Sequence, residues 1–525
     1  MLFWSFKGRS AKNLVRIMLI KVLSATHAGL SSLGVEVEID VASRGMPGLD
    51  IVGLADKAVE ESKERVRTAI RNSNIEFPNR KITVNLAPAD VPKEGSFYDL
   101  PIAVGILAAV MQYEVPSDSL FFGELSLDGS ARHTRGALLF ALFAREKGYA
   151  KVFVPMASAN EAAVVHGVTV YGVRSLTELL AHLMGAEQIT PVQWIDDVET
   201  EIESEFDMVD VAGQSGAKRA ALIAAAGGHN LLMVGSPGVG KTMIARSFPG
   251  LLPRLTDEES LEVTKLYSAA GRIPPHGGLV RTRPFRAPHH TISPIGLIGG
   301  GTRPQPGEVS LAHRGVLFLD EFNEFPRSVL EALRQPLEDG SITISRSREH
   351  VSYPARFMLV ASANPCPCGY LGDPHRNCTC SPREVARYRK RVSGPILDRI
   401  DLHVYLPAVE VDDLRKRERS GEDSHMLRER VMAARRVQEE RFKGTDIRTN
   451  AEMRNAHIGE CARLERGAEE ILALATAKHH LSARTYFKLM KVARTIADLA
   501  GSENVLREHI AEALQFRQKL YDDGV

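Results

Sequence analysis

The sequence predicts an α/β protein in three parts: an α/β domain over residues 18–190, a second α/β domain on a parallel sheet over 209–408, and a helical region over 409–525. Three observations carry that reading. Short β-like runs alternate with helical ones from residue 18 to about 190. Beyond them, an apolar strand at Leu231–Val234 runs through a Gly-rich loop into a helix, and apolar strands follow at Val316–Leu319 and Phe357–Ala361. Such alternation is the pattern of a parallel sheet covered by helices. From about Val411 onward only helical periodicity remains.

Taken in order, Val35–Val41 alternates at period two like a half-buried strand, and Asp56 to Ile70 is an amphipathic helix. Lys81–Leu86 is a strand, Leu100–Met111 a buried helix and Lys151–Val154 a short strand. Residues 191–208 form an acidic linker: seven of the twelve positions from Asp196 to Asp207 are acidic, and like charges at that density stay solvated. The helical region contains amphipathic stretches at Leu427–Phe442 and Leu464–Lys478, then Ala483–Leu499 and Val505–Leu520. Residues 1–17 carry Lys7, Arg9, Lys12 and Arg16 before a second Met at position 18, and read as a disordered or mis-started extension.

Composition narrows the function classes. At 525 residues and roughly 150 per domain, about three domains are expected. With 44% hydrophobic and 25% charged residues, a disordered or fibrous chain is excluded. Lys plus Arg is 66 and Asp plus Glu 65, so any nucleic-acid site must be local. Five cysteines exclude a disulfide scaffold. No apolar run reaches the roughly 18 residues that span a bilayer, which makes a cytoplasmic location without membrane partners the expectation.

The sharpest motif is Gly235, Ser236, Pro237, Gly238, Val239, Gly240, Lys241, Thr242, a match to G-x-x-x-x-G-K-S/T between a strand and a helix. Its glycines let backbone N–H groups surround phosphates. Lys241 reaches the β and γ oxygens of ATP, and Thr242 offers a hydroxyl to Mg²⁺. The strand Val316–Leu319 ends in Asp320 and Glu321. Asp320 suits the Mg²⁺ shell and Glu321 the polarisation of an attacking water. Asn364, after a third strand, can orient that water. Arg399 and Arg484 can stabilise a transferring phosphoryl group.

Together these elements resemble the AAA+ ATPases, in the branch of magnesium chelatase ATPase subunits and minichromosome-maintenance helicases. Val211–Gln214 is similar to the adenine-side entry of that superfamily, and Gly307–Glu321 to the approach to its acidic motif. Gly48–Leu54, Thr83–Asp90 and Arg283–His290 narrow the likeness to the bacterial ComM/YifB family, over essentially Met18 to the C-terminus. The resemblance implies a hexameric ATPase acting on DNA, promoting branch migration of recombination intermediates in natural transformation, with Arg399 working on a neighbour's ATP. It also implies a Lon-protease-like fold for residues 18–190 and a helical lid for 409–525. The Lon fold uses a Ser–Lys dyad, but here Phe97 stands at the Ser position and the Lys position falls near Phe140. Ser96 is adjacent to Phe97. The expectation is a domain without peptidase activity.

Two local features remain. Cys366, Cys368, Cys378 and Cys380 form two C-x-C pairs, able to give four thiolates to Zn²⁺. His375 is a substitute ligand, four reduced structural cysteines are the competing account, and Cys461 is a packed thiol. From Val263 to Gly307 there is no Asp or Glu, while Lys265, Arg272, Arg281, Arg283, Arg286 and Arg303 are present with His289 among three histidines. This segment reads as an extended insertion that either tracks a DNA backbone or meets acidic partners between subunits. A hairpin over Ser341–Pro354 puts Arg346 and Arg348 at its tip as phosphate contacts, and Arg387, Arg389, Lys390 and Arg391 form a lesser patch. The primary expectation is an ATP-driven DNA helicase or translocase on single-stranded or branched DNA. The alternatives are a chelatase-type ATPase working with partner subunits and an ATP-dependent protein-remodelling scaffold.

Overall fold

A computed structural model describes residues 19–42, 45–54, 56–93, 95–194, 204–273, 277–301, 304–345, 350–410 and 422–517. Residues 1–17, most of the acidic linker, Arg303, and the hairpin-tip arginines Arg346 and Arg348 lie outside the described residues. The described residues divide into two compact units, one within Met1–Asp196 and Tyr267–Leu279, the other within Asp197–Leu266 and Val280–Val525. No helix among them is long and apolar enough to cross a membrane.

The first unit is a seven-stranded mixed sheet. Its strand order is Gly48–Val52, Lys81–Ala87, Ser31–Val41, Ile20–Ala28, Ser119–Phe121, Lys151–Pro155, Thr169–Val173. The alternation read at Val35–Val41 places Val35, Val37 and Ile39 in the core. The amphipathic helix runs Lys57–Asn72 with Asp56 as its cap, accepting the Val59 N–H at 2.9 Å. Helix Asp99–Met111 is buried almost all round. Phe97 and Phe140 meet inside this unit, with ring centroids 5.3 Å apart, and His27 lies 4.3 Å from Phe140. The two positions where the resemblance implies a dyad are adjacent and filled by aromatic rings. Ser96 donates to the Glu124 carboxylate and Lys93 to the Pro88 carbonyl.

The second unit carries a five-stranded all-parallel sheet, ordered Phe285–Arg286, Val316–Leu319, Met358–Ala363, Leu231–Gly235, Leu402–Leu406. Leu231 pairs with Val360 and Leu402, and Gly235 with Leu406, so the phosphate-loop motif leaves at the carboxyl end of the sheet. The three interior strands are apolar because helices cover both faces. The helices Ser424–Arg441, Arg466–His479, Ala483–Leu499 and Arg507–Gln515 share one core cluster with Ser215–Gly227 and the sheet. Asp401 ties this bundle to the amino end of the sheet, bonding Lys488 at 2.8 Å and the Asn230 N–H at 3.0 Å. Burial opposes the Asp401 charge, but Lys488 and His229 outweigh it and hold the carboxyl well below its usual range.

The segment without acidic residues is not a single extended insertion. Tyr267–Leu279 groups with the first unit, where Ser268 donates to Glu161 at 2.6 Å. The remainder holds strand Phe285–Arg286, helix Pro294–Ile298 and a small Gly299–Gly300/Gln305–Pro306 pairing.

Candidate functional site

At the carboxyl end of the five-stranded sheet the chain turns sharply after Gly235. Gly238 and Gly240 take φ of +82° and +93°, backbone that residues with a Cβ rarely adopt. A Cβ at Gly240 would lie 3.6 Å from Val211 Cγ1, so the Val211–Gln214 segment borders the loop. Helix Lys241–Arg246 begins immediately afterwards. Lys241 is 8% exposed, and its Nζ donates to the carbonyls of Gly235 (2.5 Å) and Ser236 (2.9 Å) and to Asn364 Oδ1 (3.1 Å). Burial lowers this ammonium to about 8, against the opposite pull of Asp320 and Glu321.

Three strand ends converge on that lysine. Asp320 accepts from Thr242 Oγ1 at 3.0 Å through one carboxylate oxygen and from the Ser362 hydroxyl through the other. A hydroxyl and a carboxylate oxygen side by side are hard donors of the kind Mg²⁺ takes, so the pair fits that ion. Glu321 adopts φ +52°, a left-handed backbone costly for a residue with a side chain and common at functional positions. That turn sends its half-exposed carboxylate outward, 3.4 Å from His290 Nδ1.

Lys241, Thr242, Asp320 and Asn364 are thus brought together, with Glu321 beside them. Arg399 and Arg484 are not. Asn230, which precedes strand Leu231–Gly235, bonds the Arg399 carbonyl at 3.0 Å, placing Arg399 at the amino end of the sheet. A five-residue strand is about 13 Å long, so Arg399 and the phosphate loop occupy opposite ends. Arg399 donates to the Glu338 carboxylate and to the Pro395 carbonyl (2.7 Å), and Arg484 reaches the other Glu338 oxygen at 2.9 Å. Arg399, then Arg484, hold the Glu338 carboxyl below its ordinary value. Both arginines line a cavity of about 490 Å³ whose walls also include Arg356, Lys488 and Lys491.

Sequence reasoning missed Ser362, His290 and Glu338. Ser362 carried a signal, because alternate residues of a strand share a face and Ser362 precedes Asn364 by two. Glu338 carried none, standing 61 residues from Arg399 and 146 from Arg484.

The expected DNA contacts are redistributed. Arg283 pairs with Glu259 at 2.7 Å and donates to the carbonyls of Pro253 and Arg314. Arg286 pairs with Glu308 at 2.5 Å. Both guanidiniums have carboxylate partners, Glu259 and Glu308, that lie in sequence just outside the segment that lacks acids. His289 bonds Thr291 at 2.9 Å on the surface, and Arg391 pairs with Glu324 at 2.6 Å.

The four clustered cysteines do come together. Their sulfurs all lie within 4.8 Å of one another, with Cys366–Cys368 at 3.4 Å and Cys366–Cys378 and Cys368–Cys378 at 3.6 Å. A tetrahedral site with arms of about 2.3 Å has sulfur–sulfur edges of about 3.8 Å, so the set fits one zinc ion. Backbone N–H groups, that of Tyr370 foremost, lower the Cys368 thiol, while burial and the neighbouring sulfurs raise Cys378 and Cys380, so the proton is shared unevenly across the cluster. His375 stands outside the set, its N–H donating to Asp373 at 2.8 Å. Cys461 packs at the edge of the helical core.

Comparison with known proteins agrees with this geometry. Residues 207–414 match the family described as "Magnesium chelatase, subunit ChlI", residues 35–158 "Subunit ChlI of Mg-chelatase", and residues 421–517 "Magnesium chelatase, subunit ChlI C-terminal". The chain is 42% identical to "Competence protein ComM" of Haemophilus influenzae, with 94% of this chain and 97% of that protein covered. It is also 42% identical to the Escherichia coli protein YifB at the same coverage. A magnesium-chelatase 38 kDa subunit from Rhodobacter capsulatus is 24% identical over 58% of this chain and 84% of its own. The chain belongs to the ComM/YifB family of magnesium-chelatase-like AAA+ ATPases.

Proposed function

We propose that this chain is the subunit of a homo-oligomeric, hexameric ring that uses ATP hydrolysis to move on single-stranded or branched DNA and drives branch migration of recombination intermediates during natural transformation, in the cytoplasm. The observation that carries the ring is the division of hydrolytic groups between the two ends of one sheet. Lys241, Thr242, Asp320 and Asn364 stand at the carboxyl end, and Arg399 and Arg484 at the amino end. One subunit is half a site, and a head-to-tail neighbour supplies the rest.

In this reading Lys241 leaves the carbonyls of Gly235 and Ser236 for the β and γ oxygens, while Thr242 and Asp320 hold Mg²⁺. The metal, when bound, neutralises charge between those phosphates. Glu321 takes a proton from the attacking water, and Asn364 positions that water. The neighbour's Arg399 and Arg484 exchange Glu338 for the γ-phosphate. The four thiolates hold Zn²⁺.

Glu321→Gln is expected to keep nucleotide affinity and lose turnover by about 10²–10⁴-fold, the contribution of a positioned base. Turnover at the parental rate removes Glu321 from that role.

Support for DNA as the partner comes from the relative named a competence protein and from two paired strands, Ser341–Ser345 and His350–Pro354, between which the sequence carries Arg346 and Arg348. The test is steady-state ATP hydrolysis without DNA and with single-stranded, duplex or four-way-junction DNA. Salt is held constant, because phosphate contacts make affinity steeply salt-dependent. Severalfold stimulation, greatest on branched or single-stranded DNA, is the expected result. Hydrolysis indifferent to every DNA favours the second reading, an ATPase driving metal insertion with partner subunits, which the chelatase relatives support.

A further inference from the structure

The segment from Cys366 to Cys380 contains no helix or strand, yet it lies directly on the nucleotide site. It begins two residues after Asn364, whose side chain accepts from Lys241. Gly369 sits at φ +87°, and a Cβ there would come 2.8 Å from both Cδ and Cγ of Pro237, in the middle of the phosphate loop. Asp373 accepts the N–H groups of His375 and Arg376 at 2.8 and 3.1 Å, and these together with the nearby Ser236 hydroxyl hold its carboxyl below the ordinary range. On the far side, a Cβ at Gly372 would lie 3.4 Å from the Tyr405 hydroxyl, on the strand beside the phosphate loop. The thiolate loop therefore touches the loop that surrounds phosphates at Ser236 and Pro237, and it continues directly into the polar group at its lysine.

A loop of this length without secondary structure is uncommon in a compact domain, and its shape depends on contacts of its own. Local hydrogen bonds supply part of that, with Gly369 N–H to the Cys366 carbonyl at 3.0 Å and Asp373 N–H to the Tyr370 carbonyl at 3.1 Å. Four thiolates at tetrahedral spacing supply the rest once a metal joins both ends of the loop, and the free energy of metal binding then becomes free energy of local order. We propose that Cys366, Cys368, Cys378 and Cys380 hold one zinc-type divalent cation, and that the loaded loop braces Ser236, Pro237 and Asn364 from outside so that nucleotide affinity follows metal occupancy. The proposal rests on Gly235–Thr242 being the nucleotide site, and the experiment below separates the failure of one from the failure of the other.

The full-length protein, purified under reducing conditions, is assayed for metal per chain by elemental mass spectrometry. Its affinity for a fluorescent ATP analogue with Mg²⁺ is then measured as isolated, after removal of the thiolate-bound metal with an organomercurial followed by dithiothreitol and chelator, and after reloading with Zn²⁺. Far-ultraviolet circular dichroism checks that the stripped protein stays folded. The expected result is one metal per chain, affinity weakened roughly tenfold on removal, and recovery on reloading, the scale found when supporting interactions around a site are lost. Loaded and stripped protein binding nucleotide equally overturns the brace alone. Loaded protein that binds no nucleotide overturns the nucleotide site and the brace together. Gly369→Ala provides an independent reading, since it keeps all four thiolates but drives a methyl group into Pro237. It is expected to retain the metal and weaken nucleotide binding at least severalfold, and unchanged affinity overturns the contact.

Discussion

Lys241→Ala is expected to weaken nucleotide binding by at least about a hundredfold and to abolish hydrolysis. Lys241 is nearly buried, and its three hydrogen bonds run to Gly235, Ser236 and Asn364 around the space the glycine loop encloses. A triphosphate there replaces two carbonyl partners by anionic oxygens, and truncating one member of a buried charge pair costs about 2–5 kcal/mol, or roughly 30-fold to several-thousandfold. The fold itself should tolerate the change, because what is lost is an ammonium that burial already pushes down to about 8. Equilibrium titration with a fluorescent nucleotide checks the affinity, and thermal melting checks the fold. The sign of the pH dependence follows from the same shift. The binding form is the ammonium, so affinity in the parent should decline as pH rises past about 8 and be insensitive to pH between 6 and 7, roughly the window in which Lys241 stays charged. Unchanged affinity in Lys241→Ala removes Gly235–Thr242 from the role of phosphate loop.

How much of this was legible in the sequence differs sharply between local and distant chemistry. The phosphate loop, the acidic strand end and the polar strand end are each short strings whose meaning lies in the strand that precedes them. All three were readable because parallel strands deliver their carboxyl ends to one edge. The four cysteines were readable for the same reason, since ligands spaced within one loop need no knowledge of the fold. For Arg283 and Arg286 the count of charge along the chain does not reveal their ion pairs. Their partners Glu259 and Glu308 lie outside the acid-free stretch in sequence and pair with it in space at these two arginines. The stretch reads in sequence as one insertion, whereas its Tyr267–Leu279 portion joins the first unit, a pairing of residues about a hundred apart that no periodicity announces. Phe97 and Phe140 show the intermediate case: the substitution of both dyad positions was visible, but their direct contact and the tilted packing of His27 on Phe140 needed coordinates.

Arg399→Ala is expected to leave nucleotide affinity within a few-fold of the parent while lowering turnover by about 10³-fold or more, the scale of a phosphoryl-stabilising arginine. Its position makes the sharper prediction. The Arg399 carbonyl is held by Asn230 at the amino end of strand Leu231–Gly235, and its guanidinium by Glu338 and the Pro395 carbonyl, while Lys241 lies beyond the carboxyl end of the same strand. No side-chain rotation spans about 13 Å of paired sheet, so Arg399 cannot serve the nucleotide of its own chain. Its Nε is buried without a hydrogen-bond partner among the described residues, as are those of Arg67, Arg246 and Arg435, so the position leaves room for an outside acceptor without requiring one. If that acceptor is a neighbour's phosphate, two inactive variants should repair each other. Mixed in equal amounts, Arg399→Ala and Lys241→Ala chains assemble interfaces at random. Roughly a quarter of these join an intact phosphate loop to an intact arginine, as a head-to-tail ring requires. Hydrolysis should then rise well above the sum of the separate variants after subunit exchange. A mixture no more active than its parts, with exchange demonstrated, makes Arg399 a structural partner of Glu338 and removes the argument for a site shared between subunits.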